Sequence, residues 1–258
     1  MASELSAETG ALKRPAFDLS VRARLAMIAL GYLPLLHLAA TVVCTAAAGA
    51  TLGRPAALLT AVAMLYLLPP LGAALARPSA LLTRLEQERC AAGSPAFLRW
   101  WYITQWQVVF NRLPVLEELL RLVPGLYSAW LRLWGAKIGA FVYWSPGVKL
   151  FDRPFLRFGN RVVIGADTKI CPHIIARREL QSDKREHSAD VCGGAELVLS
   201  PIEIGDDVLV GGSTLLPAGV SIAACEQTPG GRPMAPFARY SNGRHQRTTR
   251  FGSESCSE

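Results

Sequence analysis

Four histidines, six cysteines and a cluster of arginines near the C-terminus hold most of the side-chain chemistry available to this 258-residue chain. Imidazole changes charge closest to neutral pH and is the side chain best suited to take a proton from a substrate. His37 stands in an uncharged apolar run, His173 in Ile170-Cys171-Pro172-His173-Ile174, His187 in the charged stretch RRELQSDKREHSAD, and His245 in the basic C-terminal region. There Arg239, Arg244, Arg247 and Arg250 surround Phe237 and Tyr240. The cysteines (Cys44, Cys90, Cys171, Cys192, Cys225, Cys256) form no CxxC pair, which excludes a disulfide framework or zinc ribbon as the organising feature and points to a reducing compartment.

What positions these residues begins with composition. The chain is 51% hydrophobic and 18% charged, with mean hydropathy +0.26 and net charge +7. It is too apolar for disorder and for an ordinary cytosolic enzyme, and a membrane part leaves room for one modest soluble domain. After a polar leader (1–24), the uncharged run Leu25 to Ala50 has 26 residues. At helical rise that is roughly 39 Å, more than the ~30 Å hydrocarbon core requires. A second run, Ala56 to Ala76, follows a short Gly/Pro turn, so residues 25–77 are predicted to form a two-helix transmembrane hairpin kinked at Pro34, Pro69 and Pro70. The first run is too long for a signal-peptide core. His37 has no acidic partner in either run and is read as a neutral imidazole bonded to a neighbouring carbonyl. Arg and Lys flank the outer ends of the pair, which places both termini and the rest of the chain on the cytoplasmic side of the cell inner membrane; a re-entrant hairpin leaves the same topology. The +7 charge then belongs to the flanks of the spans and the tail, so nucleic acid is not an expected partner.

Residues 78–135 hold Trp100, Trp101, Trp106, Trp130 and Trp134, with apolar residues at helical spacing, interspersed arginines, and breaks at Pro95, Pro114 and Pro124. Short amphipathic helices rich in tryptophan suit a membrane interface, which is the favoured reading over packing on the soluble domain.

From Ile138 the period becomes six. Ile138, Trp144 and Leu150 lead three hexads; after a slip of two, Phe158, Ile164 and Ile170 lead three more, and Ile204, Val210, Leu216 and Ile222 continue without error. Small or branched residues recur four positions later, as at Val148, Val162, Thr168, Val208, Thr214 and Val220. Neither a helix nor an ordinary strand has this period; short flat strands, three to a triangular coil, do.

The stretches Ile164-Gly165-Ala166-Asp167-Thr168 and Ile204 to Ile222 (IGDDVLVGGSTLLPAGVSI) resemble the hexapeptide-repeat acyltransferases, among them the maltose and polysaccharide O-acetyltransferases. The resemblance covers about residues 133 to 240. It implies a left-handed parallel β-helix over 136–240 with a loop excursion at 177–200, ahead of a basic, polar tail (241–258). The fold as a whole reads as a membrane α-helical hairpin plus short amphipathic helices followed by that β-helix. Ten lead residues make about three turns, and Ala224 to Gly231 departs from the repeat. So short a prism exposes much of its wall, so a homotrimer is expected.

The resemblance further implies acyl transfer from acetyl-CoA or another acyl-CoA as co-substrate, with no metal, and a histidine as general base. His173, where the repeat is interrupted, is preferred, although Pro172 replaces the small polar residue usual before that histidine; His187, inside the excursion, is the competitor. Backbone N–H groups at Gly211 and Gly212 are candidate oxyanion donors, or else coil corners. Arg239 and Arg244 could meet CoA phosphates, acidic headgroups or water. The expected activity is a membrane-anchored acyltransferase acting on a hydroxyl of a lipid-linked glycan, lipid or other membrane-associated acceptor. The alternative is a non-catalytic trimeric scaffold. A zinc carbonic anhydrase on the same fold is disfavoured because His173 and His187 are fourteen residues apart and no third histidine lies in the repeat.

Overall fold

The computed structural model describes residues 19–76, 89–177 and 195–247. Helix α1 (Val21–Gly31) starts at Ser20, whose hydroxyl accepts the Ala23 amide at 3.2 Å, and passes almost directly into α2 (Leu33–Leu52), which has Pro34 in its first turn. Gly53, at φ +91°, reverses the chain. The return arm is α3 (Arg54–Val62), a π-helical turn (Ala63–Leu67) and α4 (Leu68–Ala74). Both arms are long and apolar enough to cross a bilayer, and only 11% and 22% of their most apolar windows are buried in the protein. Length and composition of this kind are also met by core helices of soluble proteins; here most of the aliphatic side chains, Leu35, Leu36, Val42, Leu58 and Leu59 among them, face outward.

The paired prolines shape the return arm. The Leu68 amide bonds back to Ala63, so the next donor along the π pattern, for the Met64 carbonyl, falls at Pro69, which has no N–H. His37 supplies it: its Nε2 lies 2.8 Å from the Met64 oxygen, and since a carbonyl only accepts, this nitrogen is the donor. The Tyr66 carbonyl stands four residues before Pro70 and accepts the Trp130 indole N–H at 2.8 Å. His37 is thus buried as a carbonyl-bonded imidazole, packed edge-on against Trp106 at 5.8 Å.

Helix α5 (Pro95–Arg112) begins at Ser94, whose hydroxyl accepts from the Phe97 amide at 3.2 Å, and is followed by α6 (Val115–Arg121) and α7 (Leu126–Leu133). The tryptophans face inward more than an interfacial role requires. Trp100, Trp130 and Trp134 are buried, and Trp106 lies so close over Gly72 that a Cβ there would meet its ring at 2.5 Å. The reason is chemical: two of these indoles bring an N–H to an acceptor within the protein, Trp100 to the buried Asp152 carboxylate and Trp130 to the Tyr66 carbonyl. Aliphatic side chains, Val115, Leu119, Leu122 and Val123, make the exposed apolar face instead.

Beyond them the chain winds into a three-faced parallel β-helix. One face stacks β2 (Lys137–Ile138), β5 (Leu156–Phe158), β10 (Ile202–Ile204), β13 (Ser221–Ile222) and β14 (Ala238–Ser241) in parallel register. The second stacks β3 (Tyr143–Trp144), β6 (Val163–Ile164) and β11 (Leu209–Val210). The third stacks β4 (Lys149–Leu150), β7 (Lys169–Cys171) and β12 (Leu215–Pro217). Lead residues meet lead residues in columns, such as Leu150, Ile170 and Leu216, and fill the interior. Corners are turned at positive φ three positions after the lead, as at Asp167 (φ +57°), Asp207 (φ +58°) and Gly219 (φ +74°).

The repeat breaks twice. At 151–155 the coil is two residues longer, and the added length is taken up in a three-residue 3-10 turn (Arg153–Phe155). At the second break β8 (His173–Arg177) and β9 (Ala195–Leu199) leave the prism as an antiparallel hairpin, joined on the β9 edge by β1 (Arg89–Ala91).

The prism does not stop at three turns. Thr228, Met234 and Tyr240 keep the step of six and are buried at lead positions, with Gln227 bridging to Leu209 and Pro233 to Leu215. Thr228 has the shape of valine, and its hydroxyl accepts the Gly211 amide at 3.1 Å, so a fourth coil forms where the aliphatic pattern lapses. A Cβ on Gly211 would lie 2.4 Å from the Gly230 amide nitrogen in that coil. Gly211→Ala is therefore expected to cost about 1–3 kcal/mol by wedging the third and fourth coils apart, seen as a lowered midpoint in thermal unfolding; an unchanged midpoint would mean that nothing stacks there.

Candidate active site

His173 is the first residue of β8, where the chain leaves the third face of the prism. Asp152 sits in the two-residue lengthening one coil earlier, in left-handed backbone (φ +47°), with its side chain 1% exposed. One carboxylate oxygen accepts the Trp100 indole N–H at 2.8 Å, and the other is held by a short hydrogen bond from His173 Nδ1. With Nδ1 committed, Nε2 is the nitrogen left for substrate. The Trp100 ring stands edge-on to the imidazole at 5.1 Å, and Cys171 Sγ lies 3.7 and 3.9 Å from the two ring nitrogens. The His173 side chain keeps 23% of its surface exposed, so the pair is sheltered yet reachable.

Three parts of the chain meet here. The hairpin strand β9 contributes Leu197 and Leu199, α5 contributes Phe97 and Trp100, and the lengthened coil contributes Phe155, all buried in one cluster with Cys90. Met27 of α1 and Trp101 pack against that cluster, and the Trp101 indole donates to the Met27 carbonyl at 3.3 Å. Through Trp100, the candidate base borders a cluster that joins the prism to the first apolar helix.

Of the catalytic and cofactor-binding candidates read from the sequence, only His173 lies against this cluster. His187 lies outside the described residues. Gly211 and Gly212 are corners of the third coil: the Gly211 amide is already bonded to Thr228, and Gly212 abuts Ala166 of the coil before it. Coil stacking leaves the Gly211 N–H no freedom to act as an oxyanion donor. Arg239 and Arg244 are exposed on β14 and β15 (Arg244–Arg247), the hairpin that closes the fourth coil. A shallow recess beside them is lined by Pro229, Arg232, Pro233, Ala235, Ala238 and His245. Among the described residues, no three His, Cys, Asp or Glu side chains converge as metal ligands.

Asp152 and Trp100 were not foreseen. The available signal was the slip of two between Leu150 and Phe158: an aspartate in the one irregular corner of an otherwise regular stretch has a reason to be there.

No family model matches this sequence, and no curated protein matches it. Among solved structures, the chain is similar to a hexapeptide-repeat acetyltransferase from Vibrio cholerae O1 biovar eltor complexed with acetyl coenzyme A, at 17% identity over 65% of this chain and 97% of that one, with TM-score 0.36. It is similar also to a maltose O-acetyltransferase from Clostridium difficile 630, at 16% identity over 54% and 86% of the two chains and TM-score 0.29. A Neisseria gonorrhoeae serine acetyltransferase shares 16% identity over 92% and 93%, with TM-score 0.23.

Burial disfavours a charged imidazole at His173, but the charge and hydrogen bond of Asp152, helped by Cys171, outweigh it and push the pKa up from 6.5 to about 10. A base so placed holds its proton through the neutral range, and the fraction able to accept one rises with pH toward that value. Any turnover that uses His173 as base should therefore increase from pH 7 to 10. Asp152→Asn removes the charge that raises the pKa, so the rising limb of the pH–rate profile is expected to move to lower pH while the plateau falls; a limb that stays in place would separate Asp152 from the base.

Proposed function

We propose that this protein is a membrane-anchored, CoA-dependent acyltransferase, acetyltransferase-like, working at the cytoplasmic face of the inner membrane on a hydroxyl of a lipid-linked glycan, lipid or other membrane-associated acceptor. The observation that carries this reading is the Asp152–His173 pair, set on a hexapeptide-repeat prism beside the buried cluster against which Met27 of the first apolar helix packs. In the reaction His173 Nε2 takes the acceptor hydroxyl proton as the oxygen attacks the thioester carbonyl. The C–S bond breaks, and the departing CoA thiolate receives the proton from the imidazolium. Asp152 holds the ring and stabilises its charged form through the step.

Other features support the reading. The apolar hairpin with its exposed aliphatic faces, continued by Val115, Leu119 and Leu122, suits a lipid bilayer. We infer a left-handed coil sense and a homotrimer from the hexapeptide pattern. Arg239 lies on β14, three strands beyond β5 on its face, and Arg244 on β15 next to it, roughly 14 to 19 Å along the axis at ~4.8 Å per strand, a distance that an extended acyl-CoA can bridge with its phosphates against those arginines.

Release of CoA thiol from acetyl-CoA, measured on the full chain in detergent or nanodiscs with a panel of glycolipid acceptors, tests this. His173→Ala is expected to lower turnover at least ~100-fold, the usual worth of a positioned general base. His187→Ala is expected to leave it within a few-fold. Equal turnover by wild type and His173→Ala would remove the base assignment. No turnover on any acceptor, with no binding of acetyl-CoA in calorimetry, would favour the trimeric scaffold instead.

A further inference from the structure

The residue after Asp152 is as unusual as Asp152 itself. Arg153 is 1% exposed, and each of its guanidinium nitrogens donates to a side chain on the two helices that cover the prism. Its Nη1 donates to Gln107 Oε1 at 2.9 Å and its Nη2 to Asn111 Oδ1 at 3.0 Å, both on α5. Nε donates to Glu117 Oε1 of α6 at 3.0 Å, and Nη2 makes a second, shorter bond to the same oxygen. The Arg153 backbone amide also donates to Gln107, at 3.0 Å. Glu117 is itself buried and is completed by the Tyr127 hydroxyl at 2.7 Å and by Arg121 Nη2 at 3.2 Å. The guanidinium further lies over the rings of Phe110, Trp130 and Trp134 at 5.7 to 5.8 Å.

A buried ion pair of this kind is poor evidence of stabilisation, because an apolar replacement of similar volume commonly serves as well. What it does fix is position. Asp152 stands in left-handed backbone, a conformation that aspartate tolerates and that the regular corners also use, but it does so within the lengthened part of the coil. Apart from His173 itself, the side chains that bond to this turn come from α5 and α6, and Trp100, Gln107 and Asn111 follow one another at seven and four residues, along a single face of α5.

We propose that Glu117 and Arg153 are positioning residues: the pair locks the 151–155 turn so that the Asp152 carboxylate meets His173, making the geometry of the base depend on how α5 and α6 seat on the prism. This rests on reading Asp152–His173 as the catalytic pair and adds a link from the helices nearest the proposed bilayer to that pair. Neither Glu117 nor Arg153 touches the reacting atoms.

The test reads His173 directly, with no substrate. Exchange of its imidazole C2 hydrogen for deuterium, followed by mass spectrometry of the His173 peptide across pH on the full chain in detergent, gives the ring's titration midpoint. The double swap Glu117→Leu with Arg153→Met, checked for a cooperative thermal transition, is expected to lower that midpoint by one pH unit or more, toward the value of Asp152→Asn. Arg153→Lys, which keeps the charge but not the planar fork, should fall between the swap and wild type. A folded double swap whose midpoint equals wild type overturns the proposal. If the swap does not fold, Asn111→Leu decides in the same way: a lowered midpoint supports the positioning role and an unchanged one overturns it. A lowered midpoint together with absent CoA release would instead leave the positioning intact and count against the proposed reaction.

Discussion

The hydrogen bond between Asp152 and His173 joins the two places where a regular coil stops being regular. The first break inserts two residues and turns an aspartate under Trp100; the second sends the chain outward as a hairpin that begins at the histidine. Neither break makes sense for the prism alone, whose stacking favours an uninterrupted step of six. Together they bring a carboxylate and an imidazole from successive coils into contact in a sheltered, aromatic setting where their attraction is weakly screened.

That contact also explains the crowding of helices on this part of the prism. α5 presents Trp100 to the carboxylate and Gln107 and Asn111 to the neighbouring arginine, while the other side of the bundle answers the carbonyls that Pro69 and Pro70 leave without donors. Indole and imidazole N–H groups recur because they bring a donor into an apolar setting on a large hydrophobic body. The same helical layer thus satisfies the return arm of the apolar hairpin and holds the proposed base, with α5 contributing side chains to both buried clusters.

Much of this was legible in the sequence. A period of six gives the coil, its faces and its lead residues, and uncharged runs on either side of Gly53 give the hairpin. His37 could be read as carbonyl-bonded because no acid was near it. Three things were not legible. Thr228 and Met234 disguise the fourth coil because a lead position needs a shape, not an aliphatic identity. Asp152 was hidden because its partner lies 21 residues away and meets it only when coils stack. The tryptophans drew an interfacial reading from composition, whereas three of the five are buried, and two of these use the indole N–H that composition does not count. Gly211 shows the converse: a motif glycine whose amide is consumed by the next coil.

The most direct test of the central claim is proton NMR of the full chain labelled with 15N-histidine. A catalytic pair built as described should show a strongly downfield His173 Nδ1–H signal that is lost in Asp152→Asn and insensitive to His187→Ala. A His173 ring that titrates near the ordinary imidazole value, with no such signal at any pH, would contradict it.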